Sequence, residues 1–227
     1  MIRFTCVQLN ADFTDRRTDL PYVIERRGNK RRRLAERPWV VFGQETVRED
    51  WSRLAPAGWA TAQDMSTEAT RGVAVTWDTA HVEAVGDWRC VLLLPERPGV
   101  IMRGRWIIAQ DVRIGGQVVT LASTHRPPER YAHLWPEFDR ALAAWVRRQQ
   151  HPVILGIDTN VPGLRALKPG RRRRLARSLG MRQAGYGIDA VMVPPPLRVK
   201  PVRWLPKRTS DHRGVEVQVT IPSKRSK

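Results

Sequence analysis

The sequence predicts an α+β fold, and three observations carry that prediction. A short apolar run, Val153-Ile154-Leu155-Gly156-Ile157, ends abruptly in Asp158-Thr159-Asn160 and is bounded by Pro152 and by Val161-Pro162-Gly163. Such a run reads as a strand covered on both faces that delivers polar groups at its tip. From Gly72 to Thr124, short runs rich in Val, Ile and Trp are punctuated by turn residues, the pattern of successive antiparallel strands. Two other stretches read as helical: Tyr131 to Gln150 places apolar residues on one face, and Leu164 to Leu179 is a helix or helical turn loaded with arginine.

The elements follow in order. Ile2 to Asn10 alternates Ile2, Phe4 and Cys6 and ends on a polar residue, which predicts a first strand. Leu20 to Glu36 is a helical pattern broken at Gly28-Asn29, with Lys30, Arg31, Arg32 and Arg33 forming an exposed basic turn. Trp39 to Gly43 is a second buried strand, handing over to Gln44 and Glu45. The middle of the chain predicts strands at Val73 to Trp77, His81 to Val85, Cys90 to Leu94, Arg105 to Val112 and Gln117 to Ser123, with turns at Gly86-Asp87 and a hairpin at Gly115-Gly116. The last of them delivers Thr124-His125.

Leu134, Phe138, Leu142, Trp145 and Val146 share one helical face, and Pro136 suits a first helical turn. The second helix is loaded with Arg171, Arg172, Arg173 and Arg174 and stopped by Gly180. Tyr186 to Val193 is a strand carrying Asp189. A loop through Trp204 reaches Ser210-Asp211-His212, and Gly214 to Ile221 alternates as a final strand. The extent suits one domain over residues 1–222, with 223–227 as a disordered basic tail.

Charge and cysteines narrow the function classes. The formal net charge is +18, more than solubility requires, and points to a polyanion, nucleic acid first. Of the 40 basic residues 34 are Arg, a skew that GC-rich coding alone can generate, yet such coding does not explain 40 bases against 22 acids. Cys6 and Cys90 sit in apolar runs without metal spacing and are expected to be buried free thiols in a reducing compartment. With no secretory leader and no membrane-spanning run, a soluble cytoplasmic monomer is expected. Nine tryptophans read mostly as core; Trp204, near the Ser-Asp-His segment, is the one suited to base stacking. His81, His133 and His151 read as solvent-facing.

The strand tips together carry Asn10, Glu45, His125, Asp158 with Asn160, Asp189, and Asp211 with His212. Strand alternation predicts that Asp158 and Asn160 point to one side, a carboxylate to hold a water beside an amide to bind a phosphoryl oxygen. In this order the segments Gln8-Leu9-Asn10, Gly43-Gln44-Glu45-Thr46, Ser123-Thr124-His125, Gly156-Ile157-Asp158-Thr159-Asn160, Gly187-Ile188-Asp189 and Ser210-Asp211-His212-Arg213 resemble the motifs of the endonuclease/exonuclease/phosphatase superfamily. Two departures stand out: Gly156 lies one residue earlier than the motif places its glycine, and Gly214 stands where a proline is common.

The resemblance implies a four-layer αββα sandwich of two packed mixed sheets flanked by helices, with the site where strand ends meet. It implies a divalent cation, Mg²⁺ with Mn²⁺ as substitute, held by Asn10, Glu45 and Asp211. It assigns catalysis to His125, Asp158, Asn160, Asp189 and His212: Asp158 and Asn160 activate water, Asp189 orients His212, and His125 donates to the phosphate. Either Asp158 or His212 serves as general base. The implied activity is a phosphodiester hydrolase, a nuclease on DNA, whose phosphate contacts include Lys30, Arg31, Arg32, Arg33 and Arg171 to Arg174. The alternatives are a phosphatase or phosphodiesterase of small or lipid phosphates, and a catalytically idle nucleic-acid-binding module.

Overall fold

The computed structural model describes residues 1–10, 38–46, 51–63, 72–97, 104–161, 170–185, 188–205 and 214–222. The basic turn at Lys30 to Arg33, the Ser210-Asp211-His212 segment, Gly187 and the tail lie outside the described residues, as do the side chains of Arg171, Arg172 and Arg173.

Among the described residues, twelve strands form two mixed six-stranded sheets. The first sheet runs in the order β11 (Arg198–Trp204), β12 (Val215–Ile221), β1 (Ile2–Asn10), β2 (Trp39–Gln44), β4 (Val73–Asp78) and β3 (Trp59–Gln63). The second runs β5 (Val82–Leu94), β6 (Arg105–Ile114), β7 (Gln117–His125), β8 (Val153–Asp158), β10 (Asp189–Val193) and β9 (Arg182–Ala184). Of these strands, β1 with β2 and β7 with β8 pair in parallel, and the two pairs point their C-terminal tips to one end.

Alternation builds the layers. Phe4, Cys6, Val40 and Phe42 from one sheet meet Ile108, Leu121, Ile154 and Val191 from the other, a dry interior between the sheets. The intervening residues face outward. Val7, Leu9 and Val41 pack beneath Trp51 of the short helix α1 (Trp51–Leu54), while Ala109, Ala122, Leu155 and Ile157 lie under α2 (Trp135–Arg147) and α3 (Gly170–Ser178). Phe138 and Leu142, one turn apart on α2, are fully buried, each contributing about 2–3 kcal/mol of transfer free energy. The expected pair of packed mixed sheets with helices outside is therefore present.

Four expectations need correction. The predicted strands on either side of Gly86-Asp87 are one continuous β5. Its register with β6 slips between Val85 and Arg89, and Gln110 Nε2 donates to the Val85 and Gly86 carbonyls at 3.3 and 3.1 Å, so a bulge replaces the turn. The helix expected from Tyr131 begins at Trp135, because Pro136 has no N–H to continue an α ladder backward; Glu129–Leu134 is a 3₁₀ segment with Tyr131 outside helical angles. The expected loop at Trp204 is the edge strand β11. Cys90 is only half-buried, whereas Cys6 is fully buried and its thiol is pushed well above its usual pKa by desolvation. His133 and His81 are exposed as expected and His151 is partly buried.

Candidate active site

The inward face of five strands changes character along its length. On β1 the residues Phe4 and Cys6 give way to Gln8 and Asn10; on β2, Val40 and Phe42 to Gln44; on β7, Leu121 to Ser123 and His125. On β8, Ile154 gives way to Asp158, and on the antiparallel β10, Val193 and Val191 give way to Asp189. All these polar residues are buried, so one end of the space between the sheets is lined by groups that must find hydrogen bonds. Gly156 lets the sheets approach there: a Cβ at this position would fall 2.3 Å from Phe42 Cβ and 2.6 Å from Gln8 Oε1. That accounts for the displaced glycine, which serves sheet packing two residues below the carboxylate.

Asp158 is the centre of this end. Asn10 Nδ2, across from the other sheet, donates to Asp158 Oδ2 at 3.0 Å, and the Asn160 backbone N–H donates to Asp158 Oδ1 at 2.8 Å. His125, in register with Asp158 on the neighbouring parallel strand, brings its Nε2 to 3.3 Å from Oδ2. The expected alternation of Asp158 with Asn160 is broken: Asn160 takes a left-handed backbone (φ 49°), and its Nδ2 meets the Arg126 carbonyl at 2.5 Å and His125 Nε2 at 2.7 Å. A carboxamide nitrogen has two protons, so it can donate to both. His125 Nε2 is then the acceptor nitrogen of the ring, and the ring proton resides on Nδ1, which faces Glu45 Oε1 at 3.9 Å. Donation from His125 to a phosphate, as expected from sequence, therefore falls to Nδ1 or requires a protonated ring.

Glu45 sits at the tip beyond β2, its side chain more open than those of His125 and Asp158, and its backbone is left-handed (φ 57°). Asp189 lies directly opposite Asp158 in the β8–β10 register. Two facing carboxylates repel, and separate donors hold them: Gln8 Nε2 donates to Asp189 Oδ1 at 3.2 Å. Gln8 and Gln44 exchange amide hydrogen bonds, Gln44 Nε2 donates to Ser123 Oγ at 2.8 Å, and Ser123 Oγ donates to the Gly43 carbonyl at 2.9 Å. This ladder joins the sheets just below the site.

Arg126, next to His125, is buried; its guanidinium lies 4.1 Å over the Trp135 ring and pairs with Asp139 through Nε at 3.0 Å. Burial pushes the Asp139 carboxyl up, and the Arg126 charge draws it only partly back. The pair anchors the carbonyl that orients Asn160.

Thus Asn10, Glu45, His125, Asp158, Asn160 and Asp189 converge on one end of the sandwich, whereas Asp211 and His212 lie outside the described residues. Gln8, Gln44, Ser123 and Arg126 had no assigned role from sequence; the signal of the first three is a polar letter at an inward position of an apolar strand, whereas Arg126 lies beyond β7 and faces the helix. Among the described residues no three His, Cys, Asp or Glu side chains converge as a metal cage. The carboxylate of Glu45 and the carboxamide oxygen of Asn10 nevertheless suit Mg²⁺, a hard ion that takes one or two carboxylates and keeps several waters.

No family model and no curated protein matches this chain. Solved structures do match its shape. The human Nocturnin catalytic domain with bound sulfate superposes with a TM-score of 0.64 at 14% identity, covering 96% of this chain and 94% of that one. D. rerio TDP2 complexed with a single-strand DNA product gives 0.63 at 15% identity, covering 96% and 99%. A mannosyl-6-phosphatase of Bacteroides thetaiotaomicron gives 0.64 at 14% identity, covering 96% and 100%. At this identity the likeness establishes the fold, which is that of the endonuclease/exonuclease/phosphatase superfamily.

Proposed function

Taking that fold as premise, we propose that the chain is a phosphoric ester hydrolase whose substrate is nucleic acid, DNA foremost. The observation that carries the reading is the buried Asp158 carboxylate, held by Asn10 from one side and the Asn160 N–H from the other, with His125 beside it. Burial alone accounts for the donors; the imidazole 3.3 Å from the same carboxylate is what favours a reaction over a structural role. The net charge of +18 favours a polyanionic substrate.

In this reading Asp158 accepts the proton of the attacking water, and Asn10 and Asn160 keep its oxygens aimed. His125 offers its Nδ1–H toward the phosphoryl oxygens as negative charge builds there, and Asn160 fixes the ring by donating to its Nε2. Asp189, steadied by Gln8, orients His212. A divalent cation, Mg²⁺ or Mn²⁺, held by Glu45, Asn10 and Asp211 would supply charge neutralisation of the phosphoryl group and leaving oxygen. The second reading, hydrolysis of small phosphate esters, is favoured by the likeness to a mannosyl-6-phosphatase. No helix among the described residues is long and apolar enough to cross a membrane; a monomer in a reducing cytoplasm completes the proposal.

The test is incubation of the purified protein with Mg²⁺ and labelled single-stranded DNA, duplex DNA, RNA and a chromogenic phosphate ester. Cleavage should fall by roughly two or more orders of magnitude in Asp158→Asn and in Glu45→Gln. Full activity in EDTA or in Glu45→Gln removes the metal from the mechanism. Binding without turnover on every substrate leaves an idle binding module.

A further inference from the structure

The two sheets end on one flank in the edge strands β9 and β11, which lie against each other, with α3 packed on β9. Residues 170–205, which build this flank, hold nine Arg and Lys and one acid, the buried Asp189. Arg174, Arg177, Arg182, Arg198 and Lys200 are exposed and form no ion pair among the described residues. Exposure alone does not explain this: Arg97 and Arg113, 43% exposed, both have carboxylate partners elsewhere on the molecule.

The charges on β11 are ordered. Val199 pairs with Val219 and packs on the interior, so Arg198 and Lys200, opposite Thr220 and Gln218, face the outer side of the sheet. The bulge between Pro201 and Arg203 returns Arg203 to that same outer side, opposite Glu216, to which its Nε donates at 3.0 Å. The result is a row of cations one strand wide, repeating at about 6–7 Å where the strand is regular, a spacing comparable to that of successive phosphates on an extended nucleic-acid strand. Beyond the row the strand ends at Trp204, 36% exposed, which lies on the other, inward side of the sheet, level with Val215 and, through it, with Gln8. Trp204 thus stands two strand spacings, about 10 Å, from the strand that carries Asn10.

We propose that this flank is a binding track for single-stranded nucleic acid, which lays its phosphates along Arg198, Lys200 and Arg203 on the outer side and turns over the end of the edge strand to stack a base on Trp204 before entering the site between the sheets. A single strand fits better than a duplex because the row is one strand wide and the aromatic at its end requires an unpaired base face. The assignment of the track as a substrate path rests on the proposed hydrolase reading; binding along it does not.

The experiment is fluorescence anisotropy of a labelled single-stranded oligothymidylate, titrated with salt in EDTA. In the doubly substituted Arg198→Ser, Lys200→Ser protein the plot of log affinity against log salt should flatten by about 0.7 for each phosphate no longer neutralised. Trp204→Ala should weaken binding about five- to a hundredfold, with Trp204→Phe recovering most of it. The charge-preserving Arg198→Lys, Lys200→Arg protein should bind as wild type, and urea midpoints confirm that each variant is folded. Wild-type slope and affinity in the double variant overturn the track. Equal losses for duplex and single strand overturn the single-strand assignment. Should the wild-type protein bind the oligonucleotide with the expected salt slope yet cleave no phosphate ester, the hydrolase reading falls and the track stands.

Discussion

Arg89 grips Asp111 with two hydrogen bonds at 2.8 and 2.9 Å, Arg113 meets Glu83 at 2.6 Å, Arg97 pairs with Glu137, and Arg126 pairs with Asp139. These pairs join β5 to β6 and the segments after β5 and β7 to α2. Across the molecule, α3, β9 and β11 carry arginines that are exposed, as Arg89, Arg97 and Arg113 are, and among those described only Arg203 has an acid partner. Coding bias can set how many arginines a chain contains, but it does not sort them into a paired flank and an unpaired one. The difference teaches that arginine does two jobs here: on one flank it ties strands and helix together, on the other it is left facing solvent in a row.

The sharpest break of this comparison is on the paired side. Asp139→Ala leaves the Arg126 guanidinium buried against Trp135 without its counter-ion, and should destabilise the fold by about 3 kcal/mol in urea unfolding. Because the Arg126 carbonyl accepts from Asn160, turnover should drop as well.

A smaller effect is expected at Asp111. Burial pushes its carboxyl up, but the Arg89 guanidinium and the Thr120 hydroxyl outweigh that and hold it below the usual carboxylate range. A depressed folded pKa contributes stability above the unfolded value of about 3.9 and loses it as pH falls through the lower folded value. Since Arg89 is 42% exposed, the pair is worth at most about 1 kcal/mol. Asp111→Asn should therefore lower stability by that much at pH 7, and the gap to wild type should shrink as pH falls below the unfolded value of about 3.9.

The smallest effect belongs to the other flank. Replacing Arg198 and Lys200 with Ser should change unfolding free energy by less than about 0.5 kcal/mol, since both are exposed and neither forms an ion pair among the described residues. A loss near 2 kcal/mol, four times that bound, would show that this flank, too, is structural and would erase the contrast.

Legibility in the sequence divided along physical lines. Strands buried on both faces, such as β8, and strands with clear alternation, such as β1 and β12, were readable because burial imposes apolar letters. Edge strand β11 was not, since six of its seven residues face solvent and Pro201 argues for a loop. Nor was β3, whose Ala and Thr letters carry little strand signal, or the bulge in β5, which uses the same Gly-Asp letters as a turn. At the site, carboxylates and amides at the tips of apolar runs announced themselves. The ladder of Gln8, Gln44 and Ser123 did not, because its meaning depends on which strands of the opposite sheet come to face them.

The left-handed backbone at Glu45 sets fold and function at odds. For a long side chain this conformation costs on the order of 1 kcal/mol that a glycine would not incur. Selection for thermal robustness alone would drift toward glycine there, and each such gain would delete the carboxylate at the lip of the cleft. At Glu45, φ 57°, relief of backbone strain and retention of the carboxylate proposed to hold the cation are therefore mutually exclusive.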